Sequence, residues 1–135
     1  APFMVHPPHR YADLLRSKIE RYGSTCWLVN TGWVGGPYGI GKRISIQYTR
    51  ALLNAALSGK LDDVQYYRDP VFGFSVPTSC EGVPASVLSP GDAWPNQQVY
   101  LEKYRQLAAR FVQNFKKFQA GCAADIRAAG PVIPL

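Results

Sequence analysis

The order helix, strand, helix, two strands, helix along 135 residues predicts a mixed α/β chain rather than a helical bundle or a β-sandwich. Three observations carry that expectation. Apolar residues recur at three- and four-residue steps in three long segments, short β-prone runs lie between them, and Gly- and Pro-rich stretches separate one from the next.

The first helix follows Pro7-Pro8, with Tyr11, Leu14, Leu15, Ile19 and Tyr22 on one face and Gly23 just past the last turn. Arg10, Asp13, Arg16, Lys18, Glu20 and Arg21 occupy the solvent side. Thr25 to Val29 is almost wholly apolar and reads as a strand buried on both faces, ending at Asn30-Thr31-Gly32. From Gly32 to Arg43, five glycines in twelve residues exclude helix and regular strand and predict a long loop with a specific task.

Ser45 is placed to cap a helix from Ile46 to about Leu57, with Thr49, Leu53, Ala56 and Leu57 along one face and Gly59 ending it. Two short strands, Val64 to Tyr67 and Val71 to Val76, flank the turn formers Arg68-Asp69-Pro70 and could pair. Pro77 to Pro95 reads as a loop that wraps over other protein surface. A long helix is predicted from about Gln97 to Phe118, with Tyr100, Tyr104, Leu107, Ala108, Phe111, Phe115 and Phe118 forming a stripe of core spacing rather than a ligand box. A short helix, Ala123 to Ala129, stops at Gly130-Pro131.

An apolar fraction of 47% and an aromatic fraction of 13% belong to a folded chain. The net charge of +6 suits an anionic partner, and equally suits part of a larger protein whose balancing charges lie elsewhere. Cys26, Cys80 and Cys122 are odd in number and far apart, which fits neither a disulfide framework nor paired zinc knuckles and points to a reducing compartment. Cys26 reads as a small buried hydrophobe and Cys80 as a loop thiol without a partner motif. No apolar run is long enough to span a membrane, the N-terminal stretch has no signal-peptide core, and Pro131 to Leu135 is no targeting signal.

Gly36-x-x-x-x-Gly41-Lys42 satisfies most of a phosphate-cradling loop but continues with Arg43, where Ser or Thr is needed to hold magnesium. A lid or ligand-edge loop is the better reading. Downstream, Arg43, Ile44 and Thr49 offer a guanidinium that can stack on a purine, an aliphatic wall, and a hydroxyl for the base edge. Those are parts of an adenine pocket; the alternative is an exposed arginine before a helix cap and a core-facing threonine. His6 and His9 have no third ligand in view for a metal.

The run Leu28-Val29-Asn30-Thr31-Gly32-Trp33, followed by Gly41-Lys42-Arg43-Ile44-Ser45-Ile46 and Thr49-Arg50-Ala51, resembles the C-terminal region of ATP-dependent phosphoenolpyruvate carboxykinases. The likeness continues through Phe72-Gly73, Val76-Pro77-Thr78, Gly82-Val83-Pro84 and Phe111-Val112-Gln113-Asn114-Phe115, to Ala128-Ala129-Gly130-Pro131. The resemblance implies the C-terminal part of a mixed α/β, kinase-like nucleotide-binding domain of that fold, with residues 1–135 as a single segment incomplete as a domain. It implies that Arg43, Ile44 and Thr49 line the adenine site of ATP.

It further implies a cytoplasmic lyase of gluconeogenesis that converts oxaloacetate and ATP to phosphoenolpyruvate, carbon dioxide and ADP. The phosphate loop and the ligands of the implied Mg2+ and Mn2+ are expected upstream, outside this chain, so the isolated chain is expected to be inactive and unstable. The abrupt start at Ala1-Pro2-Phe3 suits a fragment. The expected partners are ATP or ADP and the remainder of a parent polypeptide, with neither nucleic acid nor membrane. The main alternative is a stand-alone adenine-nucleotide-binding module without catalysis.

Overall fold

The computed structural model describes Phe3 and residues 5–133. Ala1, Pro2, Met4, Pro134 and Leu135 lie outside the described residues, and with them parts of the two chain ends read above. Helix α1 spans Pro8–Tyr22. Pro8 takes the first helical position, where its missing N–H costs nothing. Gly23 closes the helix at φ 58° with its N–H on the Ile19 carbonyl, the left-handed cap that glycine adopts without a Cβ penalty.

Residues 24–31 form no strand, contrary to the sequence expectation for Thr25 to Val29. A strand exists only where another lies beside it, and none of the described residues pairs with this run. Trp27 and Val29 are half-buried, whereas Leu28 is 81% exposed. The glycine-rich stretch also departs from expectation. Its ends form a short antiparallel hairpin, β1 (Trp33–Val34) against β2 (Lys42–Arg43).

Helix α2 (Ile46–Leu57) begins where Ser45 predicts: the Ser45 hydroxyl accepts the Tyr48 N–H at 3.2 Å, a cap worth about 1 kcal/mol. Ala55 of α2, Leu61 and Cys80 form a small core, with Trp27, Leu52, Ala56, Val64, Val83 and Leu88 packed around it. Cys80 is thus buried and Cys26 exposed, the reverse of the sequence reading. Position in space, not the apolarity of flanking residues, decides which thiol is covered.

A second hairpin pairs β3 (Tyr66–Arg68) with β4 (Ser75–Pro77), Tyr67 lying opposite Val76. The wrapping loop that follows carries one helical turn, α3 (Ala85–Leu88). Helix α4 spans Gln97–Phe115, capped by the Asn96 side chain on Val99 N–H at 3.1 Å, and α5 spans Ala124–Ala128. Arg16 of α1 and Asp125 of α5 form an exposed ion pair at 2.6 Å, screened by solvent and so a weak tie between the two helices.

Asp69, in the turn between β3 and β4, joins that hairpin to α4. Its Oδ1 accepts the N–H groups of Val71 at 3.0 Å and Phe72 at 2.6 Å, and its carboxylate accepts the Tyr104 hydroxyl. Around this point Phe72 stacks on Phe74 at 6.1 Å and meets Tyr104 at 5.5 Å and Phe111 at 5.6 Å, while Tyr100 lies on Tyr104 at 5.4 Å. The predicted core stripe of α4 is therefore engaged over its first turns. Farther along, Leu107, Phe111 and Phe118 are exposed.

Few side chains are fully covered. Ala55, Leu61, Val71, Cys80 and Ala108 are the buried apolar residues among those described. The accessible surface is 10309 Å², against about 7,000 Å² for a self-contained folded protein of this mass.

Burial, the hydrogen bond to Asp69 and the negative charge of Asp69 all push the Tyr104 phenol well above its usual value of 10.0. The neutral phenol is the form the fold favours. That contribution is complete below pH 10 and is lost as pH rises beyond it, because the unfolded chain releases the proton first. Tyr104→Phe is expected to loosen the 69–74 turn by about 1–3 kcal/mol, read as faster amide hydrogen exchange at Val71 and Phe72. In the unsubstituted chain the same two amides should lose protection as pH is raised above 10.

Candidate functional site

Arg43, Ile44 and Thr49 lie along one continuous element junction. Arg43 ends β2, Ile44 links it to the helix, Ser45 caps α2, and Thr49 sits one turn inside, its N–H bonded to the Ser45 carbonyl at 3.0 Å. Two residues pair on each side of the hairpin, and the Ile44 N–H adds a bond to the Gly32 carbonyl beyond them. The helix starts at once because the Ser45 side chain takes the orphan N–H of its first turn. Arg43 is exposed, while Ile44 and Thr49 are half-buried.

The ion pairs among the described residues are Arg16–Asp125 and Lys60–Glu81, so Arg43 pairs with no carboxylate among them. A guanidinium remains charged at any physiological pH and presents a flat face to an incoming π system. Opposite Arg43 in the hairpin stands Trp33, and opposite Lys42 stands Val34. Sequence reasoning missed that pairing, since it depends on a loop closing on itself.

Two N–H groups of the loop between the strands are already spent inside it. Its Ile40 and Gly41 N–H groups, which a phosphate would need, both donate to the Pro37 carbonyl at 3.0 and 2.9 Å. The glycines serve close approach instead. A Cβ at Gly41 would run into the Gly36 carbonyl oxygen, and one at Gly35, where φ is 78°, would stand 2.8 Å from the Ala93 carbonyl oxygen. The second contact seats the hairpin against the wrapping loop.

Two clefts lie elsewhere. One of about 480 Å³ is lined by Ala51, Asn54, Ala55, Leu57, Ser58, Lys60 and Glu81, and one of about 540 Å³ lies between the Arg68–Phe74 turn and Ala128–Val132. Neither includes Arg43, Ile44 or Thr49. Among the described residues no group of three or more His, Cys, Asp and Glu side chains could hold a metal ion. The His6 ring lies 6.2 Å from that of Tyr11, and the His9 ring lies beside Gly121. No helix of the described residues is long and apolar enough to cross a membrane.

Five helices, two small hairpins and a capped strand-to-helix junction define a mixed α/β segment. A family model described as phosphoenolpyruvate carboxykinase matches residues 1–86, and the chain belongs to the family of ATP-dependent phosphoenolpyruvate carboxykinases. It is 51% identical over 133 residues to phosphoenolpyruvate carboxykinase (ATP) 2 of Moorella thermoacetica, which covers 98% of this chain and 25% of that protein. Identity to the phosphoenolpyruvate carboxykinase (ATP) of Alkaliphilus oremlandii is 49% over 132 residues, 98% of this chain and 25% of that protein. For the Dictyostelium discoideum protein of the same name it is 43% over 133 residues, 98% of this chain and 24% of that protein. The chain thus spans about a quarter of the length of the curated relatives it matches.

Gly41→Ala should break the hairpin, because the added methyl meets backbone on two sides, Gly36 and Val34. The expected result is loss of amide protection at Ile44, whose N–H bonds Gly32 across the hairpin, while Tyr48 in the Ser45 cap stays protected.

Proposed function

We propose that this chain is the part of an ATP-dependent phosphoenolpyruvate carboxykinase that receives the adenine end of ATP. The observation that carries the reading is the unpaired guanidinium of Arg43, held at the end of β2 directly before Ile44 and the capped helix that bears Thr49. Arg43 stacks on the purine, Ile44 closes one side of it, and Thr49 offers a hydroxyl to the base edge. These groups bind and orient; they make and break no bond.

The reaction of the whole enzyme is the conversion of oxaloacetate and ATP to phosphoenolpyruvate, carbon dioxide and ADP, in the cytoplasm and in the service of gluconeogenesis. Decarboxylation generates an enolate that the γ-phosphoryl group then captures. The Mg2+ and Mn2+ such chemistry calls for find no ligand set among the described residues, so no catalytic step is assigned to this chain.

The surface supports a segment that completes its fold only within a larger body. The excess of roughly 3,000 Å² over a self-contained protein of this mass is of the size an obligate interface covers. Leu14, Leu15, Leu28, Leu57 and Phe111 are among the large apolar side chains left in water. Relatives four times as long have ample chain to cover them.

In the parent polypeptide, Arg43→Ala is expected to raise KM for ATP roughly tenfold while lowering kcat much less. An unchanged ATP dependence would remove the adenine assignment. The isolated chain is expected to show neither a cooperative thermal transition nor ATP heats by titration calorimetry. Micromolar ATP binding by the isolated chain would instead favour a self-sufficient nucleotide-binding module.

A further inference from the structure

The Gly32–Arg43 hairpin places a large aromatic side chain beside Arg43. Ile44 donates its N–H to the Gly32 carbonyl at 3.0 Å while the Gly32 N–H turns to the Asn30 side chain, so residues 32 and 44 carry one ladder bond. The next pair, Trp33 and Arg43, is then a non-hydrogen-bonded one. In such pairs the two Cα atoms stand about 4.5 Å apart and the side chains rise from the same face at their closest approach. Alternation sends Val34 and Lys42 to the opposite face.

Trp33 is 43% exposed, and its ring is held edge-on by Tyr38 at 5.3 Å and 87°. Tyr38 itself is 83% exposed. The cation–aromatic contacts among the described residues are both at Tyr22, so the Arg43 guanidinium does not lie over the Trp33 ring. Two flat groups therefore rise from one face, close together, and neither satisfies the other. The loop that carries them is tightly closed, through Pro37, Gly36, Gly41 and the contact of Gly35 with Ala93. Little ordering remains to be done on binding.

We propose that Trp33 is a second wall of the nucleotide site, its indole packing on the purine that Arg43 receives, with Tyr38 fixing the indole. This rests on the adenine reading of Arg43 and adds to it a residue that meets the base through the face of its ring. Stacking is indifferent to base identity, so Trp33 supplies affinity, and discrimination between adenine and guanine is left to hydrogen-bonding groups. Lys42, on the other face of the hairpin, takes no part in the base site.

The test uses the parent polypeptide that contains this chain. Trp33→Ala should weaken ATP and GTP binding by the same factor, about 5- to 100-fold, whereas Trp33→Phe should restore most of it. Because Trp33→Ala could disturb the hairpin, the unsubstituted protein is also photolabelled with 8-azido-ATP, and the label should fall on the peptide holding Trp33 and Tyr38. Trp94→Phe, which alters an indole packed on Tyr100, should leave binding unchanged. If Arg43→Ala weakens ATP binding but Trp33→Ala does not, or the label falls elsewhere, the Trp33 wall is wrong and the adenine reading stands. If neither substitution changes binding, both are wrong.

Discussion

The carboxylate of Asp69 is the one group on which three elements meet. It caps the Val71 and Phe72 amides of its own turn and receives the hydroxyl of Tyr104 from α4. Without it the β3–β4 hairpin and the long helix would be joined only by partly exposed aromatic contacts. That dependence follows from how little apolar surface the chain covers by itself. Ala108 is the one buried residue of a helix that spans Gln97–Phe115, so the helix cannot be held by burial alone. Polar anchoring substitutes for the missing core, and a neutral tyrosine beside a charged aspartate is what that anchoring requires.

The same scarcity governs the ends of the other elements. Helix α2 is fixed at its start by Ser45, and α1 by a proline before it and a left-handed glycine after it. The first hairpin survives at two residues per strand because glycine at 36 and 41 allows backbone to touch backbone. Local hydrogen bonding and close approach define this chain's shape, while its apolar faces remain available to a covering partner. A segment built this way keeps its loop geometry and depends on others for cooperativity.

The hairpin matters to function because a strand register is a placement device. With one residue of slip, Lys42 rather than Arg43 would share a face with Trp33, and the charge presented beside the indole would be a strongly hydrated point instead of a planar fork. Ile44 then turns the chain directly into α2, so strand end, linking residue and helix cap follow one another within three residues. In the loop between the strands the Gly41 N–H is spent on the Pro37 carbonyl, and Gly35, Gly36 and Gly41 allow the close backbone approach that fixes the register.

The sequence by itself determined what neighbours along the chain decide. Helices α1, α2 and α4, the Ser45 cap, the Gly23 stop and the turn at Asp69 were all legible, because period, capping and φ preference act within four or five residues. The family was legible too, since Gly41-Lys42-Arg43-Ile44-Ser45 and its companions stand in plain order. Only the tertiary structure decided that Thr25–Val29 has no strand partner, that Cys80 and not Cys26 is covered, that Trp33 lies opposite Arg43, and that Tyr104 reaches Asp69. Each of those depends on which distant segment arrives alongside, and a linear pattern of apolar residues records only that something must.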